Sequence, residues 1–283
     1  MTRSGDRRGV ALLVVLVLLA ILGMVAADVG GAARLEGNLV VTLRSRTVAR
    51  YAAESGVLAA TARIDGLLDS VRSVNEQPEA FRHLAEYLAP FRDGDLGGAR
   101  FTIAFTDLNA RIDLNRAEPA VLQNLFAEFA GRGRAEAIVA GLRAKPLERL
   151  GELTAVPGVD EALALAVAPY VTVWSDGMVN INSAPEPVLA ALPGLGEANA
   201  KSIVSQREAG ALFLPATSAL PTQGARVAFA TAPAGILVAT APSRILIISR
   251  GWQQGLPLTH EIQAVYAVVG AQLVLQAWQE RDL

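Results

Sequence analysis

With 283 residues the chain has room for one large or two small domains, and 52% of it is apolar. A formal charge of −2 gives no global attraction to nucleic acid or an anionic surface. No cysteine is present, which excludes disulfides, thiolate nucleophiles and cysteine-ligated zinc; the two histidines, His83 and His260, are too far apart in sequence to suggest a histidine-rich metal site.

Residues 1–9 carry Arg3, Arg7 and Arg8 against Asp6 and end in Gly9. The eighteen residues from Val10 to Ala27 carry no charge, and Asp28 is the first charge after them. About 20 apolar residues suffice to span a bilayer, and positive charge ahead of the span keeps that end in the cytoplasm. A secretory signal peptide is the plainer alternative, with Ala26-Ala27 and Gly30-Gly31 as its nearest small-residue cleavage sites, but its apolar core would be shorter. Beyond Ala27 the spacing stays helical: Leu35, Leu39, Leu43, Val48, Tyr51, Ala52, Ser55, Leu58, Ala59, Ala62 and Leu67 recur at steps of three and four. The pattern predicts one helix over 10–68, nearly 90 Å long at about 1.5 Å per residue. Its first half lies in lipid and its second half packs one face on a domain. Gly30, Gly31, Gly37 and Gly56 each weaken it by about 1 kcal/mol.

A short basic leader ending in glycine, an apolar run starting at the next residue and an amphipathic continuation resemble a type IV pilin-like precursor. The resemblance implies that a prepilin peptidase cuts between Gly9 and Val10. It also implies that Val14, Leu18, Leu22, Leu39, Leu43 and Tyr51 lie on the helix through which subunits assemble. Most members carry a glutamate at the fifth mature position, where this chain has Val14. An unpaired carboxylate in a bilayer costs about 2.5–3.5 kcal/mol, and in assembling pilins its partner is the N-terminal amine of the subunit ahead. A subunit with nothing ahead of it has no use for that glutamate. Its absence is typical of the K-type minor pseudopilin of type II secretion systems, which sits at the filament tip.

Residues 69–98 read as connecting structure, with a short helix from Pro78 to Leu88 and a turn from Phe91 to Gly98. His83 in that helix reads as a surface or half-buried residue. Phe101, Ile103 and Phe105 alternate with Thr102, Ala104 and Thr106, which predicts a half-buried strand. Asp107–Ala110 makes a turn, and Ile112 with Leu114 begins a return strand. Asp107, Asn109, Asp113 and Asn115 have the flavour of a calcium loop. However, Arg111 fills a ligand slot and no glutamate closes the loop, so turn-making side chains explain them better.

An internal repeat follows. Leu114–Leu122 aligns with Ile181–Leu189, both reading apolar-Asn-x-Ala-x-x-x-Val-Leu. Each reads as an extended segment turning into a helix, with proline in the first turn where no donor is lost. Val156-Pro157-Gly158-Val159 resembles Leu192-Pro193-Gly194-Leu195, the turn of a helix-hairpin-helix unit. In DNA-binding members of that type the hairpin N–H groups contact phosphate, so a membrane-anchored, competence-type DNA receptor is the alternative. From Lys145 to Glu208, however, eight acidic residues face four basic ones, the wrong sign for phosphate. Both turns therefore read as helix-packing turns, with no nucleic acid as partner.

Asp113-Leu114-Asn115, Glu152-Leu153 before a Pro-Gly turn, Tyr170–Trp174 and Val179–Ala184 resemble elements of the K pseudopilin family in the same order. That family carries a helical domain inserted between strands of the pilin fold. Members can bind calcium there; the residues here assign no ligands, and no other cofactor is implied. Residues 209–242 are rich in alanine, proline and threonine, with Phe229 and Ile236–Ala239 as a further candidate strand. Arg244–Arg250, Thr259–Val268 and Ala271–Trp278 alternate as three strands. Tyr266, Trp252 and Trp278 read as core or sheet-face residues. His260 has no serine or aspartate pattern near it in sequence, so a hydrolase triad has no support.

The expected fold is α+β: a pilin-like long N-terminal helix packed on an antiparallel sheet, with a large inserted all-α domain. The expected divisions are a cleaved leader 1–9, the pilin helix 10–68, the first part of the pilin-like domain 69–106, the insertion 107–235 and the C-terminal strands 236–283. The resemblance implies a non-enzymatic assembly protein, single-pass in the bacterial inner membrane with its globular part in the periplasm. Its implied partners are the I- and J-type minor pseudopilins, the major pseudopilin and the prepilin peptidase.

Overall fold

The structure, a computed structural model, describes residues 6–73, 76–214 and 238–283. Helix α1 runs from Asp6 to Ser70, 65 residues and about 100 Å at 1.5 Å per residue. From Leu12 to Arg44 every side chain whose surroundings are described is exposed. Ser45 is the first buried residue, and from there Ala49, Ala52, Ala53, Val57, Ala60, Ile64 and Leu68 form one buried stripe. The helix is thus a bare stalk that becomes, in its last 26 residues or so, one layer of a two-layer domain.

The buried stripe differs from the expected one. Tyr51 and Leu58, expected on the packing face, are 63% and 68% exposed. The reason is how closely the helix approaches the sheet. A Cβ at Gly251 would come closer than 3.0 Å to the amide nitrogen of Ala53 and the carbonyl oxygen of Ala49. A Cβ at Gly56 would press on Ser249 Oγ and the Phe101 ring. Only Ser, Ala and Gly fit such a seam, so the large side chains turn outward. Gly56, expected only to soften the helix, is a contact residue. Deeper along the helix the seam opens, and Ile64 and Leu68 join Leu84, Leu88, Ile103, Ile245 and Ile247 in a core. Burying each such side chain contributes about 1.5–3 kcal/mol.

Beyond α1 come α2 (Gln77–Arg82), α3 (Leu84–Leu88) and the hairpin of β1 (Asp93–Asp95) with β2 (Ala99–Asp107). Gly97 and Gly98 have φ of 72° and 116°, the left-handed pair that a tight hairpin favours. The sequence reads 91–98 as a turn only. Strand β1, Asp-Gly-Asp, has a strand-poor composition and exists through its pairing of Gly94 with Phe101. The main sheet has the order β1-β2-β7-β8-β9, antiparallel throughout. Its other strands are β7 (Arg244–Gln253), β8 (Thr259–Val269) and β9 (Gln272–Asp282). Neighbours β2 and β7 are separated in sequence by the whole insertion.

The insertion does not begin with a return strand. Ile112–Asp113 (β3) leaves the sheet and pairs in parallel with Val171–Thr172 (β4). The edge of β2 that a hairpin return would need is occupied by β7. The insertion also holds α4 (Pro119–Ala130), α5 (Arg132–Ala144), α6 (Glu161–Val167), β5 (Val179–Asn180), α7 (Glu186–Ala191) and α8 (Gly196–Glu208). Strand β5 pairs in parallel with β6, Val238–Ala239. Leu122, Leu125, Phe126, Ile138, Leu142 and Ile203 belong to a single core of its own. Phe229 and Ile236, named above as strand candidates, lie outside the described residues.

The repeat is structural. In each copy an aspartate or asparagine caps the turn: Asp113 Oδ1 accepts from the Asn115 amide (2.9 Å) and Asn180 Oδ1 from that of Asn182 (3.0 Å). In each, the next asparagine clamps one distant residue's backbone. Asn115 accepts from Leu147 N and donates to Leu147 O, both at 2.9 Å. Asn182 accepts from Phe213 N at 2.9 Å and donates to Phe213 O at 2.7 Å. An arginine from each second helix closes the unit, Arg143 on Asn115 O and Arg207 on Ile181 O.

Candidate assembly surface

The apolar stretch of α1 is its first functional part. Leu12–Val29 is long and apolar enough to cross a membrane, and none of it is buried inside the molecule. Gly9 and Val10, the expected processing point, lie in the first turns of this helix. Val14, Leu18 and Leu22 are exposed within the candidate span, and Leu39 and Leu43 beyond it. Leu39, Val40, Val41 and Leu43 are four exposed large apolar side chains about 15–20 Å past the span's end at 1.5 Å per residue. Leu39 and Leu43, one turn apart, share a face of the helix, and exposed apolar side chains of this kind mark interaction sites. Tyr51 and Leu58 extend the exposed apolar surface onto the body.

The second part is the junction that carries the insertion. Asn109, fully buried, is its centre. Its Nδ2 donates to Asp176 Oδ1 (2.8 Å) and to Met178 O (3.0 Å). Its Oδ1 accepts from the amides of Ser243 and Arg244 at 3.0 and 2.8 Å. One side chain thus ties the end of β2, the insertion and the start of β7. Asp107 accepts from Asn109 N, Asn180 Nδ2 and Ser183 Oγ. Burial pushes its carboxyl above the usual aspartate range, against the lowering effect of those hydrogen bonds. Leu108, Leu246 and Val265 form an apolar layer beside this network, with Trp174 packed on it.

The four residues with a calcium-loop flavour are accounted for here. Asp107, Asn109, Asp113 and Asn115 each point oxygens at N–H or O–H donors of the protein. An oxygen engaged by donors is not presented to a cation. Among the described residues no group of three or more acidic or histidine side chains is placed to hold a metal ion.

In the two Pro-Gly turns the glycines take left-handed backbone, with φ of 88° at Gly158 and 82° at Gly194. Their cations are neutralised. Arg134 pairs with Asp160 (2.6 Å), and Lys201 with Glu197 (2.5 Å) and Glu186 (3.8 Å). Asp160, in the place of the second hairpin glycine, caps α6 through Leu163 N.

His83 is exposed at the break between α2 and α3, where the single helix expected from the sequence divides, and lies between Glu79 of α2 and Glu86 of α3. His260 has partners that lie beyond its local sequence. Asp282 Oδ1 lies 2.7 Å from its Nδ1, and Glu280 Oε2 lies 3.2 Å from its Nε2. The separation of 20–22 residues is the pairing of β8 with β9, which the local sequence does not display. Both carboxylates are in turn held by arginines of α1, with Arg46 on Asp282 (2.8 Å) and Arg50 on Glu280 (2.9 Å). The alternating pattern that predicts β8 and β9 was the one signal that could have brought these residues together.

Residues 179–227 match the sequence profile of type II secretion system protein K. No curated protein matches the chain. Among solved structures, the chain is similar to one from the GspK-GspI-GspJ complex of the enterotoxigenic Escherichia coli type 2 secretion system. The TM-score is 0.61 at 16% identity, covering 86% of this chain and 99% of that one. At this identity the likeness speaks for the fold, a long N-terminal helix and antiparallel sheet with a helical domain. The profile match lies within the insertion and its edge, and the solved structure shares the fold.

Proposed function

We propose that this protein sits at the tip of the type II secretion pseudopilus and initiates or caps its assembly, serving the export of folded proteins across the outer membrane. The observation that carries the reading is Val14: an assembling apolar helix with no carboxylate for the amine of a subunit ahead. The bulk of the insertion agrees with it, because nothing need stack above a terminal subunit. Prepilin peptidase removes residues 1–9, and Val10 becomes the mature N-terminus. The helix stays in the inner membrane and the body lies in the periplasm. Side chains Val14, Leu18, Leu22, Leu39, Leu43 and Tyr51 meet the helices of I- and J-type minor pseudopilins and of the major pseudopilin. No chemical step is assigned to the protein.

The test has two arms. N-terminal sequencing of the membrane-embedded protein is expected to begin at Val10; an intact leader, or a cut near Ala27, would sink the pilin-like reading. Val14→Glu is expected to leave pseudopilus initiation unchanged or impaired. Improved initiation in that variant would place a subunit ahead of this one and remove it from the tip.

A further inference from the structure

Helix α1 leaves the globular body at a point where three things meet. From beneath, Gly251 of β7 lies against the α1 backbone at Ala49 and Ala53. From the flank, the last residues of β9 reach two successive turns of the helix. Asp282 Oδ2 takes Arg46 Nε at 2.8 Å, and Glu280 takes Arg50 at 2.9 Å through Nε and 3.1 Å through Nη2. Behind both carboxylates stands His260, its side chain 8% exposed, with one ring nitrogen on each of them. Trp278 Nε1 donates to Glu280 Oε1 at 2.6 Å, and the Leu283 amide donates to Thr259 O at 2.9 Å, so the strand end itself is tied down.

Isolated surface ion pairs contribute little to stability because long side chains must be ordered to make them. Here that ordering is shared. The histidine and tryptophan fix the carboxylates, so only the arginines are free to lose their grip. Glu54, 3.3 Å from Arg50 on the same helix, offers an alternative partner, and it would hold nothing to the body. Toward the membrane, Gly31 and Gly37 have no neighbour within 4 Å beyond their own helix.

We propose that His260, Glu280 and Asp282 form a clamp on Arg46 and Arg50 that fixes the direction in which α1 leaves the body, displacing its bending to the glycine-bearing stretch around Gly31 and Gly37. The inference concerns this chain's own mechanics and stands whether or not the protein occupies a filament tip. His260 acts as a positioning residue through the two carboxylates.

The absence of native cysteine makes the test clean. Spin labels at Leu39→Cys on the stalk and Gln254→Cys on the body, in the full chain in detergent, report the distance between them. The unaltered background is expected to give one narrow distribution. R46Q/R50Q, E280Q/D282N and H260Q are each expected to lose it to a broad one, while the thermal midpoint of the body stays in place. H260Q is the discriminating variant, because it leaves both arginines and both carboxylates present. Retention of the narrow distribution in R46Q/R50Q and E280Q/D282N would overturn the clamp. Retention in H260Q alone would remove the histidine's positioning role.

Discussion

Replacing Gly251 by alanine tests the seam on which the fold rests. A single methyl there would fall closer than 3.0 Å to Ala53 N and Ala49 O, and 2.9 Å from Ala52 C. All three atoms are helix backbone, so no flexible side chain can yield. Ordinary contact begins near 3.4 Å, so α1 must move away from β7 by about an ångström. Overpacking a tight site costs about 1–3 kcal/mol, and backbone on the receiving side argues for the upper end. Loss of conformational freedom in the unfolded chain returns about 0.4–1 kcal/mol. The net destabilisation is then about 2 kcal/mol, and a domain of this size shifts by about 2–4 °C per kcal/mol. Thermal unfolding of the detergent-solubilised protein is expected to show a midpoint lower by roughly 4–8 °C. An unchanged midpoint would refute the close-packed seam.

Other perturbations probe the remaining arguments. Two α1 glycines should respond with opposite sign: Gly66→Ala, with open space around it, should gain up to about 1 kcal/mol, and Gly56→Ala should lose stability against Ser249 and Phe101, both read by thermal midpoint. Asn115→Ala and Asn182→Ala each strip a clamp from one residue's backbone N–H and C=O, at a cost of about 1–3 kcal/mol for the groups left unpaired, measured by urea denaturation. Glu261 lies fully buried between Arg250 and Arg281. Burial pushes its carboxyl up, but hydrogen bonds from Gln263, Arg250 and Arg281 outweigh that and hold it below the ordinary 4.5. Its contribution is therefore fully present above that value and is lost as pH falls through the depressed one. Glu261→Gln should flatten that acid limb in a pH series of unfolding midpoints. Mixing the protein with duplex DNA should give no salt-sensitive gel shift, and tight binding would promote the DNA-receptor reading.

The long helix, the four long strands and the helical insertion were legible because each repeats a period over many residues. What escaped was set by contacts between distant segments. The face of α1 that packs on the sheet escaped because the closeness of β7, not the spacing of apolar residues, sets it. Tyr51 and Leu58 look like core residues in sequence, yet Gly251 comes up against the backbone of Ala49, Ala52 and Ala53, and Ser249 against Gly56. Strand β1 escaped because Asp-Gly-Asp pairs through register alone. The partners of His260 escaped because they lie on the next strand, and those of Arg46 because they lie at the far end of the chain. The repeated Asn-x-Ala segments were visible, but their role as paired backbone clamps depends on Leu147 and Phe213, about 30 residues downstream in each copy.

The most direct measurement of the central claim is co-purification of the full-length protein, expressed with I- and J-type minor pseudopilins and extracted in detergent. A discrete complex with both, weakened when charge is placed on the exposed stalk face by Leu39→Glu and Leu43→Glu, is the predicted result. Recovery of this chain alone, or association that survives those substitutions unchanged, would contradict assembly through the N-terminal helix.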